Sequence, residues 1–305
     1  MEANISILRR IVEIFRRHRK LRLYLLIGPP LLYLFIFFFL PFLIALLYSL
    51  GMFRQEVYTY IFVPEPSIEY YIEVLNFPGM MEAIKRSFYY ASLTTLGTLI
   101  LSYPLAYYIG VKLDKRHREL AVIILFVPFW INFLLRVYGM RFILHELGLV
   151  NNIFMAIGII DEPIKILGTD LAVIVVMIYS YMILMLLPLY GVLEKLDVEL
   201  LEAASTLGAS PFKVFTKIIL PLSLPGIIAG SLLVFIPAVG EFVIPILVGG
   251  PNTTTIGTVI YNFFLRIRGV TGWGLGSAIG LIYIFLIIVA SYIYVKLIGR
   301  ELRLG

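Results

Sequence analysis

The chain has 305 residues, of which 61% are hydrophobic and only 14% charged, with a net charge of +6 and a mean hydropathy of +0.97. Soluble domains carry about 45–50% apolar and about 25% charged residues, so this composition excludes an ordinary soluble domain and indicates a polytopic membrane protein. The absence of cysteine excludes disulfides, thiolate nucleophiles and cysteine-based metal sites.

Six apolar runs are long enough to cross a bilayer, for which a helix needs about 20 residues. The third is interrupted at its outer end by Arg136 and Arg141, and the fifth continues through Glu241 to about Val248. The sequence therefore predicts an all-α membrane protein with a basic segment at 1–22, a six-helix domain at 23–298 that includes a loop at 194–222, and a tail at 299–305. The six runs are 23–50, 87–111, 120–135, 171–193, 218–240 and 270–295.

Basic residues lie mainly on one side of these six runs. Of the 25 Lys and Arg residues, 17 precede the first run, follow the sixth, or lie between the second and third or the fourth and fifth. Since Lys and Arg are enriched in cytoplasmic loops, both termini are predicted to be cytoplasmic. Because membrane topology explains the positive charge, no nucleic-acid partner is predicted. The basic N-terminus is expected to contact anionic lipid.

Two loops on the opposite side are longer than a hairpin needs. Residues 51–86 contain a predicted short helix at 68–75 that Ser67 could cap. Residues 145–170 contain Gly148 and the acidic pair Asp161 and Glu162. These loops are either connectors or a surface for a partner outside the membrane.

The motifs of several catalytic classes are missing from the sequence. It has no G-x-x-x-x-G-K-[ST] phosphate loop, and no nucleophile–base grouping or metal-ligand spacing can be assembled. The chain is therefore predicted to be non-catalytic and to need no cofactor. A secondary carrier, or the membrane half of an ATP-driven machine, fits this pattern, although a carrier would favour inverted repeats and several membrane charges.

The loop between the fourth and fifth runs predicts two short helices. Asp197 is a good N-cap for the first helix, and Gly208 is a good C′ residue to end it. Ser210 and Pro211 then start a second helix as N-cap and first residue. A capped, charged helix across one face of a helical bundle is suited to docking into a groove on a soluble subunit.

The same loop carries the spacing E-A-A-x3-G-x9-I-x-L-P, which resembles the hallmark of permease subunits of bacterial and archaeal ABC importers. The resemblance implies a type I (MetI-like) permease fold, in which this loop is the coupling helix that docks into an ATP-binding subunit. The matching residues are Glu202, Ala203, Ala204, Gly208, Ile218, Leu220 and Pro221. The implied docking residues are Glu202, Ala203, Ala204 and Gly208, together with Leu201 and Leu207.

Further stretches resemble the spermidine/putrescine permease family (PotB type), over roughly residues 30 to 295. They include the segments at 128–130, 136–139 and 237–245. This resemblance implies a plasma (inner) membrane protein that forms half of a polyamine pore. The implied partners are two ABC ATPase subunits that bind ATP and Mg²⁺, a second permease of the PotC type and an extracytoplasmic polyamine-binding protein. Import of another small solute by the same machinery is the alternative.

Glu241 is the candidate for contact with a cationic substrate. An ionisable side chain at membrane depth costs about 3 kcal/mol unless it faces a cavity or a partner, so such a residue is a site candidate by default. The alternative is a structural salt bridge to Arg136, which is itself a candidate substrate-pathway residue because it could hold Glu241 when substrate is absent. Other side chains could offer rings or polar groups to a polyamine, although tyrosines and tryptophans in membranes also serve as anchors or packing. These are Trp130, Asn132, Tyr138, Tyr179, Tyr181 and Tyr261.

Overall fold

The computed structural model describes residues 19–56, 59–267 and 269–301. Most of the predicted basic segment at 1–22, with its proposed lipid contact, and the end of the tail at 299–305 lie outside the described residues. The helices are α1 (Arg19–Leu34), α2 (Leu40–Ser49), α3 (Glu69–Asn76), α4 (Met80–Tyr107), α5 (Lys115–Trp130), α6 (Phe133–Ile143), α7 (Leu149–Ala156), α8 (Asp170–Leu193), α9 (Val198–Thr206), α10 (Pro211–Val214), α11 (Leu220–Val239), α12 (Val243–Val248), α13 (Ile256–Leu265) and α14 (Val270–Glu301).

Four short segments of the described chain are wound as π-helical or 3₁₀ turns instead of regular α-helix. A π-helical turn at Phe35–Phe39 joins α1 to α2, a second at Tyr108–Lys112 follows α4, and a third at Phe215–Ile219 joins α10 to α11. Pro251–Thr253 forms a 3₁₀ turn. An antiparallel hairpin, which the sequence analysis did not predict, consists of β1 (Phe53–Glu56) and β2 (Thr59–Phe62).

Four helical stretches within the described residues are long and apolar enough to cross a membrane, and the bent pair α5–α6 would make a fifth. They agree with the first, fourth, fifth and sixth predicted runs. The stretches are Leu26–Ser49, Asp170–Leu193, Pro211–Val239 and Val270–Lys296.

The second predicted run corresponds to α4, which is long but less apolar than the four stretches above. Its buried face carries hydroxyl side chains, including Ser87, Thr94, Thr98 and Ser102. These small residues let α4 pack closely against α8 and α11. The hydroxyl groups therefore lower the hydropathy of a helix that is central to the bundle.

The third predicted run, 120–135, is not one continuous helix. The chain bends by 86° between α5 and α6. Ile131 and Asn132 are extended, and Asn132 Oδ1 accepts a hydrogen bond of 2.9 Å from the Leu134 amide, so that Asn132 caps α6. The prediction of one continuous helix was wrong here because an N-cap starts a new helix in the middle of the apolar run.

The fifth predicted run also does not continue helically through Glu241. Helix α11 ends at Val239, Gly240 and Glu241 lie in a break, and α12 restarts at Val243. Pro237 precedes the break and Pro245 follows it, and proline weakens helical hydrogen bonding at such places.

Helices α4, α8 and α11 form the centre of the bundle. Glycines on α11 allow it to approach the backbone of α8. A Cβ atom at Gly226 would lie 2.9 Å from the Pro188 carbonyl oxygen, and one at Gly230 would lie 3.0 Å from the Met185 carbonyl oxygen. Both glycines are therefore required for close packing.

The long loops at 51–86 and 145–170 lie at one end of the bundle and the 194–222 loop at the other. The hydroxyl of Tyr90, in the first half of α4, donates a hydrogen bond of 2.6 Å to Asp170 at the start of α8. Gly110, beyond the end of α4, lies against Leu193 and Glu194 at the end of α8. Helices α4 and α8 are therefore parallel, which separates the two sets of loops.

Candidate functional site

The first helix of the 194–222 loop, α9, has both predicted caps. Asp197 Oδ1 accepts a hydrogen bond of 2.9 Å from the Glu199 amide. At the other end Gly208 has φ +83°, a conformation that favours glycine. The amides of Gly208 and Ala209 donate to the carbonyls of Ser205 and Ala204 at 3.0 and 3.1 Å, which is a Schellman motif.

The second helix, α10, also starts as predicted. Ser210 Oγ accepts a hydrogen bond of 3.4 Å from the Lys213 amide, and Pro211 is the first helical residue. Helix α10 continues through the π-helical turn into α11. The loop is therefore mechanically continuous with a central helix of the bundle.

Helix α9 has one face buried against the bundle and one exposed face. Leu201 is only 9% exposed and packs in the main core, so it points away from the surface on which it was predicted. Leu207 is 89% exposed, and Phe212 is exposed beside it. Glu202, Ala203 and Gly208 are exposed as well, and Ala204 is half-buried.

Between α9 and the bundle lies a cavity of about 730 Å³. Its lining includes Tyr107 and Lys112, Glu202 on α9, and Phe215 and Ile219 in the turn before α11. Both nearby π-helical turns contribute to this lining. Helix α9 therefore packs on the bundle through Leu201 and Ala204, beside this cavity.

Glu241 is held in the break between α11 and α12 by groups of its own chain. Its Oε1 accepts hydrogen bonds of 2.7 and 3.1 Å from the amides of Val243 and Ile244. Its Oε2 accepts a hydrogen bond from the Tyr181 hydroxyl. The side chain is 7% exposed. The carboxylate therefore caps α12 and ties it to α8.

Two further residues support the break, and the sequence analysis missed both. The Thr255 hydroxyl donates a hydrogen bond of 3.0 Å to the Glu241 carbonyl oxygen. The Tyr283 hydroxyl lies against Gly240, where a Cβ atom would clash with it. Thr255 and Thr258 form a capping box for α13, and this T-x-x-T spacing was the signal available in the sequence.

Arg136 does not form the salt bridge with Glu241 that was considered as an alternative. Among the described residues, ion pairs join Arg54 to Glu65 and Arg86 to Glu82 only. The Arg136 guanidinium lies 4.6 Å from the Phe129 ring and 5.8 Å from the Phe133 ring. Two ring contacts, each worth up to about 2 kcal/mol when desolvated, offset only part of the cost of burying the charge.

The other predicted pathway residues are dispersed. Trp130 and Tyr138 are exposed on α5 and α6, and Asn132 serves as the α6 cap. Tyr179 shares a cavity of about 280 Å³ with Arg136. Tyr261 stacks on Phe242, directly after Glu241, with ring centroids 5.4 Å apart.

The structure therefore brings Tyr181, Glu241, Phe242 and Tyr261 together around the helix break. Arg136 and Tyr179 lie together at a separate cavity. Within the part of the chain that the structure describes, no group of three or more His, Cys, Asp or Glu side chains could hold a metal ion.

Residues 98–304 match the family described as binding-protein-dependent transport system inner membrane component. The chain belongs to this family. The spermidine/putrescine permease PotB of Haemophilus influenzae is 38% identical over 241 residues, which cover 78% of this chain and 82% of the relative. PotB of Escherichia coli K12 is 42% identical over 212 residues, 70% of this chain and 75% of the relative.

Two solved structures share the fold of this family member. A bacterial ABC transporter involved in the import of the acidic polysaccharide alginate matches with a TM-score of 0.69 at 18% identity, over 95% of this chain and 99% of that one. The alginate transporter in complex with its alginate pentasaccharide-bound periplasmic protein matches with a TM-score of 0.71 at 18% identity, over 96% and 98%. The chain is thus a multi-pass inner-membrane permease subunit of an ABC importer with the MetI-like fold.

Proposed function

We propose that this permease forms half of a polyamine pore, through which spermidine or putrescine enters the cell at the expense of ATP hydrolysed by a separate subunit. The observation that carries the substrate class is the 38–42% identity to spermidine/putrescine permeases over at least 70% of the chain. The partners are two ATPase subunits, a second permease of the PotC type and an external polyamine-binding protein.

The proposed topology has six spans with both termini in the cytoplasm. Helix α4 and the α5–α6 pair add two spans to the four apolar stretches. The parallel arrangement of α4 and α8 supports this topology, because it separates the 51–86 and 145–170 loops from the 194–222 loop, which contributes three lysines to the predicted cytoplasmic side.

The proposed ATPase contact is the outer face of α9 and α10, formed by Glu202, Ala203, Ala204, Leu207, Gly208 and Phe212. Leu207 and Phe212 are large apolar side chains exposed at a capped helix end. Exposed apolar side chains of this kind are typical of docking sites. Leu201 is left out of this surface and assigned to anchoring α9 on the bundle.

The proposed external contact is the end of the bundle that carries the two long loops. Asn151 is fully buried and fixes the 145–170 loop, because its amide group bonds the Ile164 amide and carbonyl at 2.8 and 2.9 Å. Leu147 and Ile159 are exposed on the same loop. A loop with this internal support offers a preformed surface to the binding protein.

In the proposed cycle, ATP-driven closure of the ATPase subunits displaces α9. Because α9 follows α8 and leads through α10 into α11, both central helices move with it. The break at Glu241 joins α11 to α12 and is bonded to α8 through Tyr181, and so it changes shape in the same motion. This is alternating access without catalysis by this chain.

The proposed passage of the polyamine runs by the break. Carbonyl groups released from helical hydrogen bonding can replace water around an ammonium group. Phe242 and Tyr261 offer ring faces, and the Glu241 charge makes the region electronegative. Glu241 therefore has two roles. Its hydrogen bonds within the chain fix the conformation of the break, and its negative charge attracts the cation.

The test is uptake of radiolabelled spermidine by proteoliposomes containing the complete complex, with the binding protein outside and ATP inside. We expect uptake that stops when ATP is replaced by a non-hydrolysable analogue and continues when an ionophore removes the proton gradient. Unlabelled putrescine should compete with spermidine, and trehalose, an uncharged sugar, should not. Uptake driven by the proton gradient without ATP, or competition by trehalose but not by putrescine, would contradict the proposal.

A further inference from the structure

Arg136 is a buried cation that has no negative partner within the described part of the chain. The described residues include two buried charged side chains, Arg136 and Glu241. Glu241 accepts three hydrogen bonds, whereas Arg136 donates one long bond of 3.4 Å, from Nη1 to the Ser180 carbonyl. Its Nε is buried without a hydrogen-bond partner, and Nη2 has none among the described residues. Buried polar atoms almost always have partners, so this guanidinium is incomplete.

The incomplete guanidinium lies in the wall of the 280 Å³ cavity between α5, α6 and α8. The other lining side chains include Pro128, Phe129, Met182 and Leu186, which are apolar, and the phenol ring of Tyr179. Arg136 is thus the charged group of an otherwise largely apolar cavity. Such a cavity favours an anionic group on an apolar stem.

The depth of Arg136 limits where that anion can come from. Ser180 is the eleventh residue of the 24-residue helix α8 and so lies about 15 Å from its start and about 20 Å from its end. The hydrocarbon core is about 30 Å thick, so lipid phosphates lie far from Arg136. The transported polyamine carries the same sign of charge as Arg136 and is repelled by it.

We infer that the Arg136 cavity receives an Asp or Glu side chain from the second permease subunit. The carboxylate pairs with the guanidinium through Nη2, because Nε is enclosed by atoms of this chain. A charge-assisted hydrogen bond of this kind is stronger than one between neutral groups. Trp130, Leu135 and Tyr138 are exposed on the adjoining α5 and α6 and give the partner an apolar face. The inference rests on the proposed pairing of two permease subunits.

Chemical cross-linking of the purified four-component complex tests the inference. Arg136→Lys places a primary amine at this position, and a membrane-permeant carbodiimide joins an amine to a carboxylate that touches it, with loss of water. We expect a product with the summed mass of the two permease subunits. Its cross-linked peptide should contain position 136 and an acidic residue of the second subunit. The wild-type complex and Arg136→Gln, which lack this amine, are the controls.

Three cross-linking results would overturn the inference: a cross-link from position 136 to Glu241 of the same chain, a lipid adduct at that position, or no product from an intact complex. A second measurement does not depend on the reagent. We expect Arg136→Gln to lower the amount of second permease recovered with the chain at least about tenfold, because it leaves the partner's carboxylate unpaired, while Arg136→Lys retains it. Equal recovery with both variants would show that the charge is not needed.

These outcomes are separable from the test of transport. If the wild-type complex imports spermidine while position 136 cross-links to Glu241, only the carboxylate inference fails. If position 136 cross-links to the second permease while the complex imports no polyamine, the substrate proposal fails and the inference stands.

Discussion

The Tyr181 hydroxyl on α8 donates a hydrogen bond to the Glu241 carboxylate, which lies 60 residues later in the break between α11 and α12. The contact is buried and fastens the break to the middle of α8. Because α8 leads at its other end toward α9, a displacement of α9 can reach the break through a single helix. This connection is the physical basis for coupling in the proposed transport cycle.

Removing the hydroxyl from Tyr181 should weaken the membrane domain. Tyr181→Phe leaves one oxygen of a buried carboxylate without its donor, which costs about 1–3 kcal/mol. We expect a lower midpoint of thermal unfolding for the complex. Tyr179→Phe on the same helix is the matched control, since this exposed side chain has no hydrogen bond among the described residues. Equal midpoints for the two variants would contradict the assignment.

Replacing Glu241 by glutamine removes the negative charge but keeps the size and most of the hydrogen bonds of the side chain. The glutamine oxygen can still accept from the Val243 and Ile244 amides, and its amide can donate to the Tyr181 oxygen. We therefore expect a midpoint of unfolding close to that of the wild type, but kcat/KM for spermidine uptake lower by about tenfold, or about 1.4 kcal/mol, from loss of the negative charge.

The dependence on substrate charge provides the control for Glu241→Gln. Spermidine has more amino groups than putrescine, so its uptake should fall more. Uptake of both polyamines at the wild-type rate would mean that Glu241 has only a structural role.

Gly208 should tolerate substitution in the order asparagine, alanine, valine. Its φ of +83° disfavours side chains, whereas the space around its Cβ position is open, so the backbone alone sets the cost. We expect about 1–2 kcal/mol of local destabilisation for Gly208→Ala and a smaller effect for Gly208→Asn. The readout is stimulation of ATPase activity by the loaded binding protein. Gly280→Ala, where φ is ordinary and the space is also open, is the control and should leave stimulation unchanged.

The helices of the 194–222 loop were predictable because their signals are local. An N-cap such as Asp197 and a C′ glycine such as Gly208 act on residues within one turn of the helix, so the spacing in the sequence is sufficient. The same holds for the long apolar runs, which agree with the observed helices to within a few residues at most of their ends.

The environment of Glu241 was not predictable from the sequence alone. Its partner Tyr181 is distant in sequence, and the two amides that it caps exist only because α11 breaks at Gly240. The bend at Asn132 was missed for a related reason, because hydropathy does not register a cap inside an apolar run. The burial of Leu201 was not predictable either, because nothing in the loop sequence says which side of α9 meets the bundle.

Two leucines on the same loop should respond in opposite ways to truncation. Leu207 is exposed and is proposed to enter the ATPase, so Leu207→Ala should keep the unfolding midpoint and weaken ATPase binding about tenfold. Leu201 is buried, so Leu201→Ala should lower stability by about 2–5 kcal/mol. Recovery of the ATPase with the purified permeases, measured beside thermal unfolding, distinguishes the two. Normal ATPase recovery with Leu207→Ala would remove Leu207 from the docking surface.

Gly230 should be among the least replaceable residues of the bundle. A Cβ atom there would lie 2.7 Å from Met185 Sδ and 3.0 Å from the Met185 carbonyl oxygen, and the carbonyl can move only with the α8 backbone. We expect Gly230→Ala to lower stability by about 1–3 kcal/mol, because α8 and α11 must separate. Gly191 on α8 has no described atom within 4 Å of its Cβ position, so Gly191→Ala should instead stabilise the helix by up to about 1 kcal/mol. If both substitutions shift the unfolding midpoint in the same direction, close packing between α8 and α11 is not what requires Gly230.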